Sequence, residues 1–305
     1  MTDFRARFDA EVAFLNGGDL RVSDFRLDLP SADVSESELA ELFVRHLGLA
    51  LVQRVDITEL SIVEEQHKGS RGTDGAVPTE RRIIDLSHTV SAGLVTYPGL
   101  PAPVITPHLT REDSRAKYAP GTEFAMDVIT MIGNTGTYLD SPFHRYAGGT
   151  DLAGLELSTL VGLRAEVFHL ADVSWRTDAA TRGIPASVFH DRDLAGSAVL
   201  LHTGWDVHFG RPAYAIGAPF LTEAGVQHLV DAGVTLVGID SLNIDDTESG
   251  GERPAHSLLL DAGIHVVEHL TNLGAVPARG ARFTAVPPKV ADFGTFPVRA
   301  FAELG

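Results

Sequence analysis

Cysteine is missing from all 305 residues. Its absence excludes disulfides, thiolate nucleophiles and thiolate metal ligands, and leaves His, Asp and Glu to hold any metal. Those are donors for harder or borderline ions. Positive charge is also scarce: 24 Lys and Arg stand against 41 Asp and Glu, a formal net charge of −17. Such a chain is repelled by nucleic acid and by anionic membrane surfaces, so neither is expected as a partner. The acidity is spread along the chain and reads first as solubility. Long apolar runs are lacking too, none approaching the roughly 20 residues that span a bilayer. "MTDFRARFDAEVAF" has no basic segment leading into an apolar stretch and a cleavage site. The expectation is a cytoplasmic protein acting on a small molecule. With 44% apolar and 21% charged residues, the chain has material for one large domain and an appendage.

Residues 1–66 read as a small β-β-α-β unit. "DAEVAFL" and "LRVSDFRLDL" alternate around the hairpin turn "NGGD". A capping box, Ser35 three before Glu38, opens a helix with Leu39, Leu42, Phe43 and Leu47 on one stripe. "LVQRVDITELSIVEE" then alternates as a strand. Nothing in this unit converges on chemistry. The glycine- and charge-rich stretch over 67–80 reads as a linker. From residue 81 to 305 the texture changes to short apolar β-like runs with a few helical stretches, which predicts an α/β domain with a substantial sheet.

The densest polar stretch is "NTGTYLDSPFHRY". A strand running from "TEFAMDVIT" through Asp140 would turn Asn134, Gly136, Tyr138 and Asp140 to one face. Pro142 blocks a helix there, so His144 is expected to emerge from a turn toward the same place. An ordinary polar strand end is the alternative reading. A second stretch, "ERPAHSLLLDAGIHVVEHL", puts His256 at the start of an apolar helical run and Glu268 inside an apolar strand. A carboxylate there is costly to bury unpaired. The alternatives are a ligand role or a buried ion pair with an arginine.

These stretches resemble the cyclase family that includes bacterial kynurenine formamidase and isatin hydrolase. The family motif is His-x-Gly-Thr-His-x-Asp-x-Pro-x-His. The corresponding residues here are Asn134, Gly136, Thr137, Tyr138, Asp140, Pro142 and His144. "DLSHTVSAGLVTYPGLPAP", "LLHTGWD", "LVGIDS" and the His256/Glu268 pair match as well, over more than two-thirds of the chain. The resemblance implies a swivelling α/β domain of the kynurenine formamidase/cyclase type and a homo-oligomer. It implies a divalent metal, Zn or Mn, held by Asp140, His256 and Glu268, with His144 as acid/base and Tyr97 beside the substrate. Asn134 and Tyr138 replace the two histidines of the family's other metal position. A neutral amide is a weak ligand, and a phenol with a pKa of about 10 is seldom ionised at neutral pH. One metal is therefore expected, with Tyr138 donating to a developing oxyanion and Asn134 orienting the carbonyl. The implied activity is hydrolysis of an amide or lactam. Two alternatives stand beside it: a metal-free cyclase or dehydratase of natural-product type working by proton transfer, and a non-catalytic binding protein on the same scaffold.

Overall fold

Ala6, Phe8, Ala10 and Val12 alternate along β1 (Thr2–Phe14), and all four are buried. In the computed structural model, which describes residues 2–29, 31–66, 82–172 and 181–305, β1 is the middle strand of a three-stranded antiparallel sheet. Its neighbours are β2 (Asp19–Leu29) and β3 (Val52–Gln66). The helix α1 (Glu36–Leu47) lies between β2 and β3 in the chain. Its start is fixed by the Ser35–Glu38 capping box and its end by Gly48 in the left-handed region. Leu39 and Phe43 from α1 join Phe8 in the core of this unit. The linker expected over 67–80 lies outside the described residues.

Contacts divide the chain into two units, Met1–Pro78 and Thr79–Gly305. In chain order the second holds β4 (Arg82–Asp85), β5 (Val104–Leu109), α2 (Arg111–Ser114), β6 (Met126–Thr130), β7 (Tyr138–Asp140), β8 (Leu163–His169), β9 (Gly183–Ile184), β10 (Ala198–His202) and β11 (Phe220–Leu221). After these come α3 (Glu223–Asp231), β12 (Leu236–Ile239), α4 (Pro254–Asp261), β13 (His265–Glu268), β14 (Arg282–Thr284), β15 (Thr295–Pro297) and β16 (Phe301–Leu304). The main sheet has the order β15-β7-β13-β12-β10-β8-β14-β16-β4. Its centre, β13-β12-β10-β8, is parallel, and the flanking pairs are antiparallel.

Apolar runs such as "AVLL" and "LVGI" are buried on both faces, as a covered parallel sheet requires. Leu200 and Val267 join one core with Leu139 and Phe283. Val199, Leu201 and Val266 join the other with Leu229 of α3 and Leu259 of α4. The α/β architecture is thus a mixed sheet with apolar cores on both sides.

One expectation needs correction: the strand predicted from "TEFAMDVIT" through Asp140 is broken. β6 pairs with β5 in a separate hairpin, and residues 131–137 form irregular turns before β7 begins. The reason is competition for hydrogen-bonding groups through side chains, one contact local and two with distant segments. Thr135 Oγ1 donates to the Ile132 carbonyl (2.8 Å), the Gly136 amide donates to Thr96 Oγ1 (2.8 Å), and Thr137 Oγ1 donates to the His269 carbonyl (2.6 Å). Gly136 has φ +65°, and a Cβ there would sit 2.8 Å from Val90 Cγ2. Strand geometry therefore aligns only Tyr138 and Asp140.

Candidate active site

β7 and β13 pair so that Tyr138 lies opposite Glu268 and Asp140 opposite Val266. All four are buried. After Asp140 the chain turns at Ser141, whose amide donates to the Gly294 carbonyl (2.8 Å), and makes a single 3-10 turn over Pro142–His144. Gly294 permits this close approach, since a Cβ there would meet the His144 nitrogen at 2.5 Å. His144 thus leaves from a turn beside the strand end.

Thr295, on β15, joins the two functional side chains. Its hydroxyl donates to Asp140 Oδ1 and lies 2.7 Å from His144 Nδ1. A hydroxyl has one proton, so with that proton on Asp140 the oxygen accepts from Nδ1–H. This network assigns the neutral ring as the Nδ1–H tautomer and leaves Nε2 with a lone pair.

His256 is held from the opposite side. Pro254 occupies the first turn of α4, where its missing N–H costs nothing. Asp245 accepts from the amides of Ala255 (2.6 Å) and His256 (3.1 Å) and from ring Nδ1 of His256 (2.6 Å). Ring Nε2 is thereby aimed at two carboxylates, 3.6 Å from Asp140 Oδ2 and 3.7 Å from Glu268 Oε1. Asp140 Oδ2 is buried and has no hydrogen-bond partner.

Glu268 is held at both oxygens. Oε1 accepts from the Ile244 amide (2.6 Å), and Oε2 accepts from Tyr138 (2.6 Å) and the Asn243 amide (3.4 Å). Tyr138 gives its only proton to Glu268, so its oxygen accepts from Nε2–H of His269 (3.3 Å). His269 Nδ1 in turn lies 2.9 Å from the Tyr214 hydroxyl. This corrects the sequence expectation for Tyr138: its proton is committed to Glu268 and is not free for an oxyanion.

Burial, followed by the charge of Glu268, holds the Tyr138 phenol well above its ordinary value. Burial pushes Glu268 up to about 7 against the pull of His256. Burial works against protonation of His256, yet Glu268, Asp140 and Asp245 together outweigh it and raise the ring to about 10. Burial also opposes ionisation of Asp140, but its contact with His256 and the charges of His144 and His256 hold it below the usual carboxylate range.

Asp140, Glu268 and Asp245 are all buried around one imidazole. They leave surplus negative charge even when the ring is protonated, and such a surplus is costly away from water. A cation relieves it. Ligands about 2.0–2.2 Å from a tetrahedral ion lie roughly 3.3–3.6 Å apart, close to the spacings from His256 Nε2 to the two carboxylates. The Asp245–His256 contact is the carboxylate support typical of a metal-binding imidazole. Asp140 Oδ2, buried and accepting no hydrogen bond, is the oxygen that faces His256 Nε2. Among the described residues, the group whose ligand atoms all lie within 4.8 Å of one another is Asp140, His144 and His256; Glu268 approaches His256 but is not part of that group.

A cavity of about 300 Å³ is lined by Asn134, Tyr138, His144, Asn243, His256 and Glu268, together with Arg145 and Arg253. A larger hollow of about 990 Å³ lies in the first unit, but its Glu36, Glu41, Arg45 and Arg54 are exposed and do not converge. Chemistry, not volume, selects the site. Asn134 lines the cavity. Tyr97 does not: it is half-buried against Tyr214, Ala218 and Leu242. Thr295, Asp245 and Asn243 went unnoticed in the sequence. Only Asp245, in "NIDDTE" eleven residues before His256, had a signal close by.

A family model described as "Putative cyclase" matches residues 84–246. The kynurenine formamidase of Delftia acidovorans is 29% identical over 225 residues, covering 72% of this chain and 96% of that protein. Among solved structures, an isatin hydrolase bound to the product analogue thioisatinate superposes with TM-score 0.62 at 24% identity, over 74% of this chain and 93% of its own. A chain described as a "potential metal-dependent hydrolase with cyclase activity" superposes with TM-score 0.58 at 26% identity, over 73% and 98%.

Proposed function

Because the chain belongs to this cyclase family, we propose that it is a hydrolase of carbon–nitrogen bonds, cleaving a small amide or lactam with one divalent ion. The observation that carries this reading is the unpartnered, buried Asp140 oxygen facing His256 Nε2, with Glu268 at the same nitrogen. The similarity to kynurenine formamidase supports amide cleavage. Asp140, His256 and Glu268 would hold Zn or Mn. Such an ion, when bound, polarises a carbonyl and acidifies water.

The chain's own residues do the rest. His144 takes a proton from the attacking water on Nε2 and returns it to the departing nitrogen. Thr295 keeps Nδ1 protonated and so keeps Nε2 basic. Asn134 presents a neutral amide to the substrate carbonyl, binding without adding charge, while Asn243 is held between Glu268 and the Asp245 amide. Tyr138 and the Ile244 amide hold Glu268 in place.

The test is formate release from formanilide, a neutral aryl formamide, by metal-loaded protein. Turnover that disappears in His256→Ala supports the reading. A fully metal-loaded protein that cleaves neither formanilide nor a lactam such as isatin contradicts it.

A further inference from the structure

β8 and β10 are parallel neighbours, and each ends on a histidine. His169 and His202 are register partners, so their side chains leave the same face of the sheet at the carboxyl ends of the two strands. Their Nδ1 atoms lie 2.9 Å apart and the rings stand at 86°. Among the described residues no other two imidazoles are hydrogen-bonded to each other. Neither ring takes part in the site described above.

The two rings are held differently. His202 is half-buried against Gly274, in the 3-10 turn Leu273–Ala275, where a Cβ would sit 3.2 Å from its Cε1. The glycine leaves that space to the ring. Burial, and then His169, hold His202 below the ordinary imidazole value against the opposing charge of Asp206. It is therefore neutral at pH 7 and offers a lone pair. His169 is exposed, open to water and to small ions.

A neutral imidazole has one N–H, so in the free pair one Nδ1 donates to the other. If the donor ring moves its proton to Nε2, both Nδ1 lone pairs become available without a change in charge. The spacing then selects the ion. Nitrogens about 2.0–2.1 Å from a metal lie roughly 3.3–3.4 Å apart at the tetrahedral angle and roughly 2.9 Å apart at a right angle. The pair fits adjacent corners of a square-planar or tetragonal ion, the geometry of Cu(II) and Ni(II), and copper binds such nitrogen sites the more tightly. Asp206, near His202, adds charge of the favourable sign.

We propose that His169 and His202 form a Cu(II) chelate, built from residues other than those of the active site, with water at the remaining corners. It does not depend on the hydrolase reading. Two imidazoles at a right angle suit neither tetrahedral zinc nor oxygen-seeking manganese, so the chelate adds nothing to the content of those metals.

The probe is Cu(II) itself, titrated into full-length, zinc-loaded protein in a buffer that does not bind copper. Electron paramagnetic resonance reports both the bound copper and the nitrogens on it. Wild type is expected to bind one Cu(II) with a tetragonal spectrum split by two nitrogens. His169→Gln, at an exposed position where folding is not at stake, should weaken binding about 10²–10⁴-fold, the gain that tethering two ligands brings. His202→Gln should do the same, and excess zinc should not displace the copper. Copper affinity within twofold of wild type in both variants overturns the chelate. So does a spectrum without the two-nitrogen pattern, or copper displaced by zinc. A loss in His202→Gln with none in His169→Gln overturns it too, because only one of the two rings would then hold the ion.

Discussion

Nδ1 of His144 lies 2.7 Å from the hydroxyl of Thr295, which has already given its proton to Asp140. One hydroxyl therefore sets the tautomer of the imidazole and satisfies one oxygen of the adjacent carboxylate. His144→Ala should lower turnover of formanilide about 10²–10⁴-fold while thermal unfolding hardly moves. Thr295→Val keeps the shape and removes the relay, and should cost about 10–100-fold. Steady-state kinetics of both variants check this. A Thr295→Val enzyme with wild-type turnover would show that the relay does not orient the base.

Tyr138→Phe removes the donor to Glu268 Oε2 and the acceptor for His269. An unsatisfied buried group costs about 1–3 kcal/mol, so stability should fall by that order. Turnover should fall less than in His144→Ala, because the phenol holds a ligand and does not carry the reacting proton. A larger loss at Tyr138 than at His144 would favour phenol-driven cyclase chemistry. Denaturant titration and kinetics on the same preparations separate the two effects.

His265 gives a pH dependence independent of the metal ligands. It sits on β13 with Nε2 2.8 Å from Thr159 Oγ1, a hydroxyl already donating to the Glu156 carbonyl. Nε2 must then carry the proton, and the buried Nδ1 has no partner. Burial pushes this histidine down to about 4. The unfolded chain, with an imidazole near 6.5, binds more protons between those values. The stabilisation is complete above about pH 6.5 and is lost as pH falls towards 4, by up to about 1.4 kcal/mol per pH unit. His265→Gln should flatten that limb of the thermal stability profile. An unaltered limb would assign the acid sensitivity to other groups.

Much of this was legible in the sequence because its causes are local. The capping box joins residues three apart, Pro254 marks a helix start, and Glu268 is conspicuous as a carboxylate in an apolar strand. His144 on a turn follows from Pro142. The rest depends on distance along the chain. Thr295 reaches Asp140 across 155 positions and Glu268 meets Tyr138 across 130, and nothing in either segment names its partner. The break between β6 and β7 was hidden for a related reason: Gly136 turns because Thr96, forty residues earlier, accepts its amide proton. Tyr97 packs in an apolar cluster, and an aromatic serves equally well there or beside a substrate.

We propose that the chain assembles as a homo-oligomer through the β5–β6 hairpin. Val104, Ile105, Met126, Val128 and Ile129 are all more than 40% exposed there, and a two-stranded ribbon alone is marginal in water. Light scattering on the eluted protein should give a mass at least twice the 32.6 kDa chain. Val128→Asp/Ile129→Asp should dissociate it. A monomeric wild type at micromolar concentration would rule out this use of the hairpin.

The central claim is a single metal held by Asp140, His256 and Glu268, with Asn134 and Tyr138 excluded as ligands of a second. Metal content of protein purified without added metal tests it most directly. The account predicts about one Zn or Mn per chain, lost in Asp140→Asn and in His256→Ala, and bound about 10–100-fold more weakly in Asp245→Asn. Two ions per chain would contradict the exclusion of Asn134 and Tyr138. No ion in the wild type, with none taken up on dialysis against either metal, would contradict the site itself.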